Sequence, residues 1–82
     1  REALSVLDAG RRLADAANRA LASAGKQLDK AEKKQVKADI ASLQRLLGKK
    51  VDKVSEADVA ALRAAIDQLE RSSAHVRGLA GN

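Results

Sequence analysis

The chain has no cysteine, no proline, no methionine and no aromatic residue, and its single histidine is His75. Each absence closes a route. Without cysteine there is no disulfide framework, and one histidine cannot assemble a zinc site. Without Phe, Tyr or Trp, the usual aromatic platforms for stacking on an unpaired base are missing. Without proline, and with only 5 glycines in 82 residues, turn formers are too few for a fold of many short strands. No apolar run approaches the roughly 18 residues of a membrane helix. The stretch from Arg1 to Ala24 is amphipathic and lacks a signal-peptide core, so a soluble, cytoplasmic protein is expected. What is present is 45% hydrophobic, chiefly alanine and leucine. Hydrophobic packing must stabilise one domain near the lower size limit for a core without staples, and small apolar side chains favour closely packed helices.

Three helices account for the apolar pattern. Leu7, Ala14, Leu21 and Leu28 recur every seven residues, and Ala3, Gly10, Ala17 and Ala24 fill the matching seam, as in one long helix. Leu28 keeps phase with Leu21 across Gly25, so this helix is predicted over about 2–28, although a helical glycine costs about 1 kcal/mol relative to alanine. Asp29 and Glu32 have the spacing of a capping box, with Asp29 accepting from a free helix N–H and Glu32 reaching back. A second helix is predicted over 30–47. Its face is Val36, Ile40, Leu43 and Leu47, widened by Leu46, and Gly48 is its stop. Lys49 to Lys53 form a charged connection. Ser55 and Asp58 then supply another cap, with Val54 placed to staple to Val59. The third helix, over 56–77, turns Val59, Leu62, Ile66, Leu69, Ser73 and Val76 inward before Gly78 ends it.

Short connections make consecutive helices antiparallel neighbours. The predicted fold is all-α, an antiparallel three-helix bundle forming a single domain over 1–82. A first helix of roughly 25 residues is about 38 Å long and outreaches the second. Its N-terminal part is therefore expected to protrude, leaving Leu4, Val6 and Leu7 as an uncovered apolar seam that faces a partner or drives self-association of the isolated fragment. The chain opens at Arg1 inside a helical pattern, which predicts a piece of a longer protein.

The order of these signals resembles the C-terminal helical lid of Hsp70-type (DnaK-like) chaperones. Glu2-Ala3 through Val6-Leu7 is similar to the first lid helix of the iron–sulfur-assembly branch, and Lys26-Gln27-Leu28 to a Lys-Gln-Leu of ordinary bacterial members. Ala31-Glu32-Lys33-Lys34-Gln35-Val36, then Asp39, Leu43 and Leu47-Gly48, resembles the next lid helix; Asp58-Val59-Ala60-Ala61-Leu62 through Ile66, Leu69, Glu70 and Ser73 resembles the one after. The likeness covers nearly the whole chain. Two departures are the missing longer glycine-containing turn after Lys-Gln-Leu and a connection over Lys49 to Ser55 longer than the family's usual turn. The resemblance implies a cover that closes over unfolded client peptide held by a β-sandwich domain of the same chain and slows its release. ATP, bound in a separate nucleotide domain, would open it, so this segment itself needs no cofactor. Arg11-x-x-Ala14-Asp15 looks like the family's latch, which implies polar contacts to the β-domain from Arg11 and Asp15. The same two residues stand four apart and could instead form a surface ion pair.

No catalytic constellation is present: no cysteine nucleophile, histidine cluster, phosphate loop or metal-ligand spacing, and no enzyme activity is expected. His75 is read as exposed and inert. Asp67 and Glu70 share a helical face without a cleft and are read as solubilising. The net charge of +5 gathers in Lys26, Lys30, Lys33, Lys34 and Lys37 and in Arg45, Lys49, Lys50 and Lys53, which raises a rival reading as a basic nucleic-acid-binding module. Acidic Asp29, Glu32, Asp39 and Asp52 interrupt both clusters, and the absence of aromatics also counts against it. A third reading is a helical adaptor or oligomerisation module that recruits another helix to the exposed seam.

Overall fold

The computed structural model describes residues 2–81, so Arg1 and Asn82 of the predicted 1–82 domain lie outside the described residues. It contains helix α1 (Glu2–Ala24), a 3-10 turn (Gly25–Gln27), α2 (Lys30–Leu47), a second 3-10 turn (Val51–Lys53) and α3 (Glu56–Leu79). It is the all-α, three-helix bundle read from the sequence, and among the described residues there is no strand. Glu2 meets Arg63, Asp39 meets Gln68 and Glu32 meets His75. The chain therefore runs up, down and up, with α1 and α3 parallel and α2 antiparallel to both.

The helix starts follow from local chemistry. The Glu32 N–H donates to Asp29 Oδ1 at 2.7 Å, capping α2. At α3 the box closes in both directions: the Asp58 N–H donates to Ser55 Oγ at 3.1 Å, and the Ser55 N–H donates to Asp58 Oδ2 at 2.9 Å. Val54 and Val59 flank that cap and pack against the core.

The helix ends differ from the expectation. The α-helix stops at Ala24, not at residue 28; the chain tightens through Gly25–Gln27 and emerges extended at Leu28 (φ −86°, ψ 151°). Leu28 is nonetheless buried, so its phase with Leu21 reflects burial and not continued helical hydrogen bonding. Gly48 caps α2 in the right-handed conformation (φ −71°) and so does not act through glycine's left-handed freedom. Helix α3 runs on through Gly78 to Leu79. The residue that needs glycine is Gly81, at φ +124°.

The core is aliphatic. Leu7, Val36, Leu43, Leu62, Leu69 and Val76 are fully buried, with Ala14, Ala17, Ala20 and Ala24 along the α1 seam. Gly10 lies where α1 crosses both partners: a β-carbon there would stand 2.9 Å from Leu47 Cδ2, 3.4 Å from Leu43 Cδ1 and 3.6 Å from Ile66 Cδ1. Val59 and Ile66 are only partly buried at the edge of this core.

The predicted protrusion of α1 is not found. Val6 is 6% and Leu7 1% exposed, and only Leu4, at 59%, faces outward. The reason is the length of α3. It has 24 residues against 18 in α2, and it flanks the start of α1 so closely that Arg63 Nη2 donates to Glu2 Oε2 at 2.7 Å. The turn Val51–Lys53 also lies beside α1.

Two mutations test this packing. Leu62→Ala should cost about 2–5 kcal/mol in a urea melt. Gly10→Ala should change stability by no more than about 1 kcal/mol, because its helix-propensity gain is set against displacement of only the flexible Leu47 tip. Gly10→Leu, which must also move Leu43 and Ile66, should destabilise by about 1–3 kcal/mol in the same melt.

Candidate interaction surface

Helix α1 turns two faces in different directions. Val6, Leu7, Gly10, Ala14, Ala17, Ala20 and Ala24 are buried. Leu4, Asp8, Arg11 and Asp15 are exposed. At about 100° per residue, these four fall within a sector of about 60° and form one outer stripe. The structure thus brings together three of the sequence-selected residues, Leu4, Arg11 and Asp15, and removes Val6 and Leu7 from the candidate surface.

The expected surface pair between Arg11 and Asp15 does not form. Arg12 Nε instead contacts Asp8 Oδ2 at 3.1 Å, and among the described residues Arg11 and Asp15 make no hydrogen bond or ion pair. In the Asp8–Arg12 pair the acid precedes the base, whereas Arg11 precedes Asp15, the less favourable order at a spacing of four. Both charges are therefore free to meet a partner. On α3, Asp67 pairs with Arg71 at 2.6 Å.

Polar groups also set how α2 and α3 face one another. Asp39, on the apolar side of α2 between Val36 and Leu43, is only 9% exposed. Its carboxylate accepts from Gln35 Nε2 at 3.0 Å and from Gln68 Nε2 at 3.2 Å, so its burial is compensated. The signal for this site was positional: Asp39 stands three residues after Val36 and four before Leu43, both core side chains. Ser73 is fully buried; its hydroxyl donates to the Leu69 carbonyl at 2.6 Å and accepts from Arg77 Nε at 2.9 Å. Glu32 does not reach back in its own cap, because its Oε2 lies 2.9 Å from His75 Nδ1 on α3. His75, expected to be inert, is exposed yet joins two helices.

The α2–α3 connection is tied at its ends. Lys49 Nζ donates to Asp58 Oδ2 at 2.8 Å, on the same carboxylate that closes the α3 cap. The Lys49 hydrogen bond first, then the Ser55 backbone N–H, hold the Asp58 carboxyl at about 2, below its ordinary 3.8. A carboxylate with a depressed pKa in the folded state stabilises the fold above its unfolded value and loses that contribution as pH falls through the folded one. Thermal melts should therefore show an acid-dependent loss between about pH 4 and pH 2. In Asp58→Asn that loss should be smaller, with a lower melting temperature at neutral pH.

Lys30, Lys33, Lys34 and Lys37 line one shallow depression on α2. In the second basic cluster, Lys49 is committed to Asp58 and Arg45 Nη2 donates to Ser42 Oγ at 3.3 Å. Among the described residues, no three His, Cys, Asp or Glu side chains converge on a metal-sized site, and no helix is long and apolar enough to cross a membrane.

No protein-family model matches this chain, and no curated protein or solved structure matches it at a significant level.

Proposed function

We propose that this chain is the helical lid of an Hsp70-type chaperone, closing over an unfolded peptide bound to a β-sandwich domain and slowing its release. The observation that carries the reading is the outer stripe of α1, where Arg11 and Asp15 stand exposed without partners among the described residues, beside exposed Leu4. A latch needs such a stripe: one cation and one anion at fixed spacing on a rigid helix, beside an apolar contact. Each would form charge-assisted hydrogen bonds only on closure. The opposite face of α1 is buried against α2 and α3, so the backbone that carries the latch is already ordered and only its side chains must be fixed on docking.

The segment's role in this reading is steric and electrostatic. ATP acts from the separate nucleotide domain, by shifting the balance between docked and undocked lid. The adaptor reading is weaker because Val6 and Leu7, two of the three residues of its seam, are buried.

The test is the release rate of a fluorescent peptide from the full-length chaperone carrying this segment, in the nucleotide state that retains peptide. Deletion of residues 2–78 should accelerate release, and the double variant Arg11→Ala, Asp15→Ala should reproduce much of that acceleration without unfolding the bundle. Unchanged release on deletion, with the peptide domain still folded, would exclude the lid mechanism.

A further inference from the structure

The lysines of α2 are placed against the interest of the helix that carries them. Lys30 and Lys33 lie in or next to its first turn, where the helix dipole disfavours cations. Lys30, Lys33 or Lys34, and Lys37 follow at spacings of three and four, at which like charges destabilise a helix. None of the four has a hydrogen-bond or ion-pair partner among the described residues. Folding does not explain this ridge.

Among the described residues, the acids that interrupt the cluster in sequence form no ion pair with its lysines. Asp29 Oδ1 accepts the Glu32 amide, Glu32 is held by His75 across the α2–α3 interface, and Asp39 is turned inward to Gln35 and Gln68. The four lysines line one open depression, and none of their ammonium groups is paired with a carboxylate among the described residues. We propose that this ridge binds the phosphate backbone of duplex nucleic acid, without sequence preference.

Charge and shape select this occupant. The other outward residues among the lysines are Ala31, Gln35 and Ala38, while the large exposed apolar side chains, Leu4, Val51 and Leu79, belong to other elements. The ridge has no apolar wedge to enter a bilayer and no pocket to anchor a peptide side chain. It has no aromatic to stack on the bases of a single strand. A duplex requires none of these, because counterion release from a dense row of phosphates supplies the binding free energy to simple point charges. The ridge lies on α2 and the latch stripe on α1, so this inference stands independently of the lid reading.

The test is fluorescence anisotropy of the 82-residue chain with a random-sequence DNA duplex at increasing KCl. Four phosphate contacts give an expected slope of log K against log salt of about −3.6. The variant Lys30→Gln, Lys34→Gln, Lys37→Gln should flatten that slope by about 2.7 and weaken binding at least tenfold at about 0.1 M salt, while its melting temperature rises as the like-charge repulsion is relieved. Lys33 is left in place because its Cε packs near Gly25. A charge-matched variant, Arg19→Gln, Lys50→Gln, Lys53→Gln, should retain most of the affinity. Absence of binding at about 50 mM salt, or equal losses in the two variants, would overturn the proposal. So would a ridge variant that loses phosphatidylserine vesicles or polyglutamate while keeping DNA.

Discussion

A core with no aromatic and no methionine can reach native packing density only if its helices come close together, and the residues that permit this lie along one edge of α1. Gly10, Ala14, Ala17, Ala20 and Ala24 present almost no side chain toward α2 and α3. At Gly10 even a methyl group would press on Leu47. Beyond Val6 and Leu7 at the start of α1, the larger buried side chains of the helices come from the other two: Val36, Ile40 and Leu43 from α2, and Leu62, Leu69 and Val76 from α3. The division is physical. From Gly10 onward α1 supplies proximity and the other two helices supply volume, so α3 can lie parallel beside α1 along most of its length. That length covers Val6 and Leu7 and leaves Leu4 outside.

The charged residues divide in a comparable way. Carboxylates are used within the fold: Asp29 and Asp58 at helix starts, Glu32 and Asp39 between helices, Glu2 against Arg63. Cations are more often left outside, so the net charge of +5 becomes a surface property with a direction. The lysine ridge of α2 is its strongest expression. The stripe on α1 differs, since Arg11 and Asp15 carry opposite charges and suit a partner that answers each of them. A nonspecific polyanion and a shaped protein surface are thus separate expectations for separate faces.

Much of the fold was legible because helix starts and inner faces are encoded locally. A cap is a contact over three residues, and an apolar face repeats every three or four; Asp29, Ser55, Val36, Leu43, Leu62 and Leu69 could therefore be placed before any tertiary contact was known. Of the candidate surface, Leu4, Arg11 and Asp15 were legible as exposed positions of an amphipathic helix. The two cross-helix pairs, Asp39 with Gln68 and Glu32 with His75, were not, because their members lie 29 and 43 residues apart.

The sequence alone determined that there are three helices, where each begins and which side of each is apolar, since these depend on neighbours within one turn. Tertiary structure decided the rest. Glu32 had two partners of similar chemistry, its own N-cap amide and the ring of His75, and only the approach of α3 chose between them. The α-helix could have continued through Gly25, but docking Leu28 into the end of the core required a tighter turn. Val6 and Leu7 would have been exposed on a shorter bundle, and the reach of α3 buried them. In each case the local preferences were nearly balanced, and the energy of packing one helix on another settled the outcome.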